Sequence, residues 1–316
     1  ASNVLEGIEV VIESQDDTAA PQESATIANR FMANENIIAV IGYTQSSCAL
    51  AAAPIMNEGK LVQICTFSSN VKISDAGPYT FRVLNSDAVN VKFCIDILLS
   101  KGHSKIGVLY ENNDFGVGCY NIAKDYLAEV GAELLVAEQI SLGETKDFST
   151  IITKMKSAGV EAIYAAADET ELAMFSKQSH QLDFYPVISS PGAYNPNVIK
   201  LGGEDVEGMY GFTFFDPSNM PKAVEEYFER FQERFPETKG TTDLHSTTGY
   251  TATTTVLAAL KNGARTREEV REYLANLKDF DTMYGKLSYD ENGDMSIPLQ
   301  VIVIKDGKFT LDESSN

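Results

Sequence analysis

The chain has 316 residues, of which 44% are hydrophobic and 22% are charged. This length predicts two domains, and this composition is typical of a globular protein. The net charge is −20, from 45 acidic and 25 basic residues, and so acidic a surface argues against nucleic acid as a partner. The sequence contains no run of about 18 apolar residues, so no membrane span is predicted. No signal peptide is visible at Ala1, which indicates a mature or trimmed chain.

Apolar strands and helices alternate along the first two thirds of the chain. Strands are predicted at 7–14, 37–42, 61–66, 79–83, 105–112, 134–141, 162–168 and 186–190, with helices at 23–36, 46–59, 88–102, 116–131, 147–159 and 169–182. Strands without clean period-two alternation, joined by helices that end in glycine, are typical of parallel βαβ units covered on both faces. Sheets of this kind bind ligands at the carboxyl ends of their strands.

The last third of the chain has a different pattern. Longer helices are predicted at 220–235, 245–263 and 266–278, and residues 284–309 resemble a final hairpin-like pair of strands. No low-complexity linker separates the two halves, which favours several short chain crossings over a single tether. We therefore expect an α/β fold with two similar Rossmann-like lobes.

Motifs for common chemistries are missing. The sequence has no GxGxxG after a strand, no GxxxxGK[ST], no GxSxG and no HExxH, so no catalytic residue is predicted. Three histidines and no CxxC pair give no zinc-type spacing, so neither a metal nor a cofactor is predicted. A Cys48–Cys65 bridge is conceivable, but buried free thiols are preferred for Cys48, Cys65, Cys94 and Cys119.

Hydroxyl clusters follow two consecutive predicted strands. In IGYTQSSCALAAAP, residues 41–54, Ser46 or Ser47 is predicted to cap a helix, either as a plain N-cap or as part of a carboxylate site made with the helix N–H groups. Ser68, Ser69 and Asn70 end the next strand in the same way. Two neighbouring strands that both end in serine clusters favour a ligand cleft at this edge of the sheet.

Three other residues are candidates for a site, each beside a structural alternative. Phe115 follows the strand VLYE and is either a ligand contact or a packed turn residue. Asp168 follows an alanine-rich strand and either receives an ammonium group or caps the next helix. His245 precedes a helix, where a structural role is preferred. The segment DENGD, residues 290–294, is interpreted as a tight turn around Asn292-Gly293 rather than a calcium loop.

Several stretches, in order, resemble one family. They are GIEVVIESQDD, IGYTQSSCALAAAPIMNEGKLVQICTFSSN, GPYTFRVLNSD, LYENNDFGVG, AEQISLGETKDFSTIITKMKSAGVEAIY, VEGMYG and YGKLSYDENGD. The chain is similar over nearly its whole length to the substrate-binding proteins of branched-chain amino-acid (Leu/Ile/Val) ABC transporters, which have the type I periplasmic-binding-protein fold. The resemblance implies lobe 1 from 1–86 plus 215–290 and lobe 2 from 87–214 plus 291–316, with crossings near 84–87, 213–215 and 290–297 and the ligand cleft between the lobes.

The resemblance also implies roles for the serine loops. Ser46, with the nearby backbone, would hold a ligand carboxylate. Phe67 and Ser69 lie where the family contacts the carboxylate and the ammonium group. The predicted ligand-binding set also includes Gln45 and Ser68.

Further roles, and two departures, follow from the same resemblance. Phe115 and Asp168 match contact positions in the second lobe, and His245 matches a position where an aromatic side chain covers the pocket. Amino-acid binders of this family often carry an acidic residue that meets the ligand's ammonium group, but this chain has SSPGAY at that place, near Pro191. Either Asp168 meets the ammonium group instead, or the ligand is not an α-amino acid. The start ASNVLEG looks like the end of the family's first helix, so the fold is expected to lack its first βα unit.

The leading hypothesis is an extracytoplasmic solute-binding protein without catalytic activity, periplasmic or lipid-anchored at the outer face of the membrane. It would capture a small amino acid or related carboxylate by hinge closure and deliver it to an ABC permease. The alternative is the ligand-binding sensor domain of a receptor or regulator, and an enzyme on this fold is a third reading.

Overall fold

The computed structural model describes residues 8–312. The helices are α1 Pro21–Ala33, α2 Ser46–Glu58, α3 Asp87–Ser100, α4 Asp114–Glu129, α5 Ser149–Ala158, α6 Glu169–Gln181, α7 Pro196–Gly202, α8 Lys222–Arg234, α9 Leu244–Lys261 and α10 Arg267–Ala275. The strands are β1 Ala39–Ile41, β2 Val62–Cys65, β3 Thr80–Arg82, β4 Lys105–Glu111, β5 Glu133–Ile140, β6 Ala162–Ala166, β7 Val187–Ser189, β8 Tyr210–Thr213, β9 Phe280–Thr282, β10 Gly285–Leu287, β11 Gln300–Lys305 and β12 Lys308–Leu311. The predicted alternation of strands and helices is confirmed from α1 to β7.

The chain packs into two compact units. Unit 1 contains Ala1–Ser86 and His245–Ser296, and unit 2 contains Asp87–Leu244 and Ile297–Asn316. Residues 215–244 pack with unit 2, where Phe228 of α8 lies against Phe215 with ring centroids 6.1 Å apart. The sequence-based lobe boundaries put this segment in the first lobe. That a ligand binds between two lobes stays a prediction.

Unit 2 is built on a seven-stranded sheet with the order β12-β11-β8-β7-β6-β4-β5. The pairs among β4, β5, β6, β7 and β8 are parallel, whereas β11 is antiparallel to both β8 and β12. All five residues of β6 are buried, because helices such as α3 and α4 pack on the central strands. This burial explains why the strands lack period-two alternation in the sequence.

Unit 1 contains a smaller parallel sheet with the order β1-β2-β3 and an antiparallel pair, β9 and β10. In its core, the face of α2 that carries small side chains packs against α1 and β2, and Cys48, Ala52 and Met56 are fully buried. The alanine-rich composition of α2 allows this close approach, since small side chains let helix and sheet backbones come together. The single hairpin-like pair predicted at 284–309 is instead two pairs, β9–β10 and β11–β12.

The strand predicted at 7–14 is wrong over its described residues, and its first residue, Gly7, lies outside them. Residues 8–14 have no strand partner, and the side chains of Val10, Val11 and Ile12 are 48%, 80% and 82% exposed. An apolar, β-branched run forms a strand only where a neighbouring strand completes its hydrogen bonds, and none of the strands in residues 8–312 pairs with it. The interpretation of ASNVLEG as a helix end also falls outside the described residues.

Candidate functional site

The first serine loop follows β1 and leads into α2. A cis peptide bond joins Gly42 to Tyr43, and Gln45 takes the N-cap position with extended backbone and no side-chain capping bond. Ser46 is the first helical residue, so the structure places neither Ser46 nor Ser47 at the predicted cap. The reason lies in the Ser46 hydroxyl, which accepts a hydrogen bond from the Asn70 N–H at 3.2 Å instead of capping its own helix.

The second serine loop follows β2 and is tied to the first. The carbonyl oxygen of Tyr43 accepts hydrogen bonds from the Ser68 hydroxyl at 3.0 Å and from the backbone N–H groups of Thr66 and Phe67, each at 3.2 Å. The Ser68 hydroxyl therefore donates its proton to a group of the protein itself, and this hydrogen bond holds the two loops together. The structure brings the predicted unit 1 residues Gln45, Ser46, Phe67, Ser68 and Ser69 to one edge of the small sheet.

A buried ion pair holds the second serine loop through its main-chain carbonyl groups. The guanidinium of Arg82, on β3, is fully buried, and its Nε donates to Oδ1 of Asp294 at 2.9 Å while Nη2 contacts Oδ2. Nη1 donates to the carbonyl oxygens of Ser69 at 2.9 Å and Asn70 at 3.0 Å. Sequence analysis missed this pair, because 212 residues separate its members and only the fold brings them together.

Asp294 ends the segment DENGD, and the predicted turn is confirmed there. The N–H groups of Asn292 and Asp294 both donate to Oδ1 of Asp290 at 2.9 Å. Gly293 has a φ of 81°, and a Cβ at this position would lie 2.7 Å from the carbonyl oxygen of Thr80. Glycine is therefore required both by the left-handed backbone and by the close approach of β3.

Phe67 and His245 form a stacked pair within unit 1. Their ring centroids are 3.7 Å apart and their planes are inclined by 24°. Phe67 is half-buried, and His245, in the first turn of α9, is exposed. The stack provides a flat aromatic surface on the loop that also carries Ser69, which is 6% exposed.

The two predicted residues of unit 2 lie at the starts of helices that follow neighbouring strands. Phe115 is in the first turn of α4 and Asp168 is the N-cap residue of α6, and both are half-buried. Asp168 thus occupies the N-cap position that one alternative predicted, but its side chain makes no capping bond to α6. Since β4 and β6 are adjacent and parallel, both residues belong to the same edge of the seven-stranded sheet.

Glu111, the last residue of β4, is buried beside these two residues, and sequence analysis did not single it out. Oε1 accepts the Asp168 N–H at 2.7 Å, and Oε2 accepts from Nδ2 of Asn113 at 2.7 Å. Burial, reinforced by the charges of Asp168 and Glu171, raises the pKa of Glu111 to about 8. The only signal in the sequence was an acid at the end of an apolar strand, in VLYE.

The four cysteines are buried free thiols, as the preferred interpretation of the sequence predicted. Burial raises the pKa of Cys48 to about 11 and the pKa values of Cys65 and Cys94 to about 12. These thiols are therefore protonated at neutral pH and behave as small apolar core residues.

Within residues 8–312, no helix combines the length and apolar character needed to cross a bilayer. The same residues include no group of three or more His, Cys, Asp or Glu side chains arranged to hold a metal ion. The polar groups at the two sheet edges are hydroxyls, backbone amides and carboxylates, which suit hydrogen bonding to a small polar molecule, and the Phe67–His245 stack adds an aromatic surface.

Comparison with known proteins places the chain in a family. The model of the family described as periplasmic binding protein matches residues 1–308. A Leu/Ile/Val-binding protein homolog 1 of Brucella suis is 28% identical over 301 residues, which cover 93% of this chain and 78% of the relative. The chain belongs to the periplasmic binding protein family, and the resemblance to branched-chain amino-acid binding proteins is confirmed.

Solved structures agree with this assignment. A leucine binding protein LivK from Thermotoga maritima has a TM-score of 0.88 at 26% identity, covering 98% of this chain and 89% of that chain. A solute binding protein of an ABC transporter from R. palustris, in complex with benzoate, has a TM-score of 0.87 at 18% identity, covering 97% and 85%. The predicted α/β fold with parallel sheets flanked by helices is therefore confirmed, and these relatives are binding proteins.

Proposed function

We propose that the chain is the extracytoplasmic solute-binding protein of an ABC importer and that it captures a small amino acid or related carboxylate by hinge closure. The observation that carries the proposal is the pair of serine loops in unit 1, which follow adjacent parallel strands and are tied together through Tyr43 and Ser46. Loops at the carboxyl ends of parallel strands are the common ligand-binding position of such sheets. The relatives named above include a leucine binding protein and a protein that binds benzoate.

A ligand carboxylate would meet unit 1. The N–H groups at the start of α2 carry partial positive charge, and the Ser46 hydroxyl, which accepts from Asn70, keeps its proton for donation. Ser69 would add a second hydroxyl, Gln45 would border the same loop, and the stack of Phe67 on His245 would cover the apolar part of the ligand. Ser68 would support the site through Tyr43 rather than by donating to the ligand.

An ammonium group, where the ligand has one, would meet unit 2. Asp168 would supply the negative charge and Phe115 an aromatic contact. Hinge closure requires a ligand that binds the closed form more tightly than the open form, because only this difference in affinity shifts the population. The partner would be a membrane permease, and the protein would be periplasmic or lipid-anchored at the outer face of the membrane, without catalytic activity.

A thermal-shift scan tests the proposal directly. The full chain is heated with each of the amino acids and with small carboxylates, including leucine and benzoate. A ligand present at 100 times its Kd should stabilise the protein by about 2.7 kcal/mol, which is visible as a raised midpoint. A cooperative melt that none of these compounds shifts would overturn the proposed ligand class.

A further inference from the structure

Two loops of unit 2 are joined by one buried carboxyl group. Glu111 ends β4 without exposed surface, and its two oxygens accept hydrogen bonds from different loops. Oε1 accepts the main-chain N–H of Asp168, before α6, and Oε2 accepts Nδ2 of Asn113, before α4, each at 2.7 Å. A single side chain therefore sets the spacing between the β4–α4 and β6–α6 loops.

The contact with the β4–α4 loop extends to the first turn of α4. Oδ1 of Asn113 accepts the Gly116 N–H at 2.8 Å and so caps the helix. A Cβ on Gly116 would lie 2.2 Å from the carbonyl oxygen of Glu111, so this turn rests directly on the end of β4. Phe115, inside this turn, has its position determined by the same contacts.

We propose that Glu111 is a positioning residue: it holds Phe115 and Asp168 at the spacing that the ligand requires, without touching the ligand itself. This inference rests on the proposed function of the same site. Both oxygens of Glu111 face N–H donors, an arrangement that the carboxylate satisfies completely. A neutral amide satisfies only one of the two donors, because Asn113 cannot turn its amide round without giving up the cap on Gly116.

The charges around Glu111 link this spacing to pH. The acidic groups that act on the carboxyl are Asp168, from the β6–α6 loop, and Glu171, from α6. Glu171 is itself buried, with Oε1 accepting the Gly143 N–H at 2.9 Å. Burial, with these acidic neighbours, raises the pKa of Glu111 to about 8, so its charge changes in the range where binding is measured.

Amide hydrogen exchange on the unliganded full chain tests the positioning role without any ligand. Glu111→Ala should raise exchange about tenfold both around 113–116 and at 168. The Asp168 N–H loses its acceptor, and the Asn113 side chain, whose Oδ1 accepts the Gly116 N–H, loses the carboxylate that holds it. At a pH above 8, where the wild-type Glu111 is mostly ionised, Glu111→Gln should raise exchange around 113–116 and largely spare Asp168, whose N–H still meets an amide oxygen. The matched control is Glu133→Gln, an exposed acid on the neighbouring strand β5, which should change neither segment.

Two exchange results would overturn the proposal. One is unchanged exchange at both loops in Glu111→Ala. The other is a uniform rise over all of unit 2, which would mark Glu111 as a general stability residue rather than a local one. Intact protection of β5 and β6 in the same spectra confirms that each variant is folded.

Calorimetric titration with leucine and with benzoate adds the functional readout. For whichever probe binds the wild type, Glu111→Ala should weaken binding at least tenfold and Glu133→Gln less than twofold. Equal affinity in Glu111→Ala and wild type would overturn the positioning role. If the wild type binds neither probe while both loops respond in the exchange experiment, the proposed ligand class fails and the positioning of the loops stands.

A pH series separates positioning from simple packing. Leucine affinity of the wild type should rise between about pH 6.5 and 8.5, because ionised Glu111 accepts from both donors and adds negative charge near Asp168. The profile of Glu111→Gln should be flat, since its amide does not titrate. Identical profiles in the two proteins would contradict the proposal.

Discussion

At the residue scale, the serines of the two loops differ in what their hydroxyl groups can do. Ser46 accepts a hydrogen bond from Asn70 and keeps its own proton for a ligand, whereas Ser68 spends its proton on the Tyr43 carbonyl. The sequence presents them as equivalent members of two clusters. Only the hydrogen-bond directions separate them, and they favour Ser46 as the proposed donor to a ligand carboxylate and Ser68 as a support.

Ser46→Ala should therefore weaken binding of a carboxylate ligand by about 1–3 kcal/mol, through loss of a charge-assisted hydrogen bond. Isothermal titration with the ligand found in the thermal scan measures the change. Ser104→Ala, at an exposed serine outside both loops, is the control and should leave the affinity unchanged. Unchanged affinity in Ser46→Ala would remove Ser46 from the site.

Glu111 also predicts how stability depends on pH. Its pKa in the folded protein, about 8, is above its ordinary value, so folding favours the protonated form. The stabilisation is complete below about pH 4.5 and is lost as the pH rises through 8, by an amount on the order of 5 kcal/mol. Urea unfolding at pH 5, 7 and 9 should show this decline in the wild type and a flatter profile in Glu111→Gln. Parallel profiles would argue against a raised pKa.

At the element scale, the buried pair of Arg82 and Asp294 joins β3, the 290–294 turn and the second serine loop. Asp294→Ala should destabilise the protein by about 3–5 kcal/mol, because it leaves the Arg82 guanidinium buried without its partner. Asp281→Ala, which removes an exposed ion pair with Lys286, should cost less than about 1 kcal/mol. Equal effects on the midpoint of chemical unfolding would show that the buried pair contributes no more than an exposed one.

The unpaired segment 8–14 makes a second prediction about elements. Ile12 is 82% exposed, so Ile12→Ser should change the free energy of unfolding by less than about 0.5 kcal/mol. Ile64→Ala, on the buried strand β2, should cost about 2–5 kcal/mol. A large loss from Ile12→Ser in denaturant unfolding would mean that the segment is a buried strand after all, as its sequence pattern predicts.

At the scale of the whole molecule, a net charge of −20 reflects 45 acidic against 25 basic residues. Their mutual repulsion opposes the compact state and is screened by salt. Raising sodium chloride from about 10 to 150 mM should therefore increase the melting temperature, by an amount on the order of a few degrees. A melting temperature that falls with salt would show that attractive pairs outweigh the repulsion.

The sequence by itself determined the local pattern: alternating strands and helices, the serine clusters after β1 and β2, the DENGD turn and the buried thiols. These features depend on neighbours within a few residues, on hydrophobic periodicity and on the special backbone of glycine. The same local rules failed at 8–14, because a strand also needs a partner that the local pattern does not supply.

Tertiary structure alone decided which side chains meet. Glu111 accepts from a residue 57 positions away, and Arg82 pairs with one 212 positions away. The stack of Phe67 on His245 likewise joins separate parts of the chain. The Glu111 contact arises because the parallel strands β4 and β6 bring their carboxyl ends to one edge of the sheet. The other two join a strand or loop to a distant turn or helix, and no spacing in the sequence encodes any of the three. The sequence suggested which residues would touch a ligand, and these stay predictions. The groups that hold those residues in place, such as Glu111 and Arg82, became visible only in the fold.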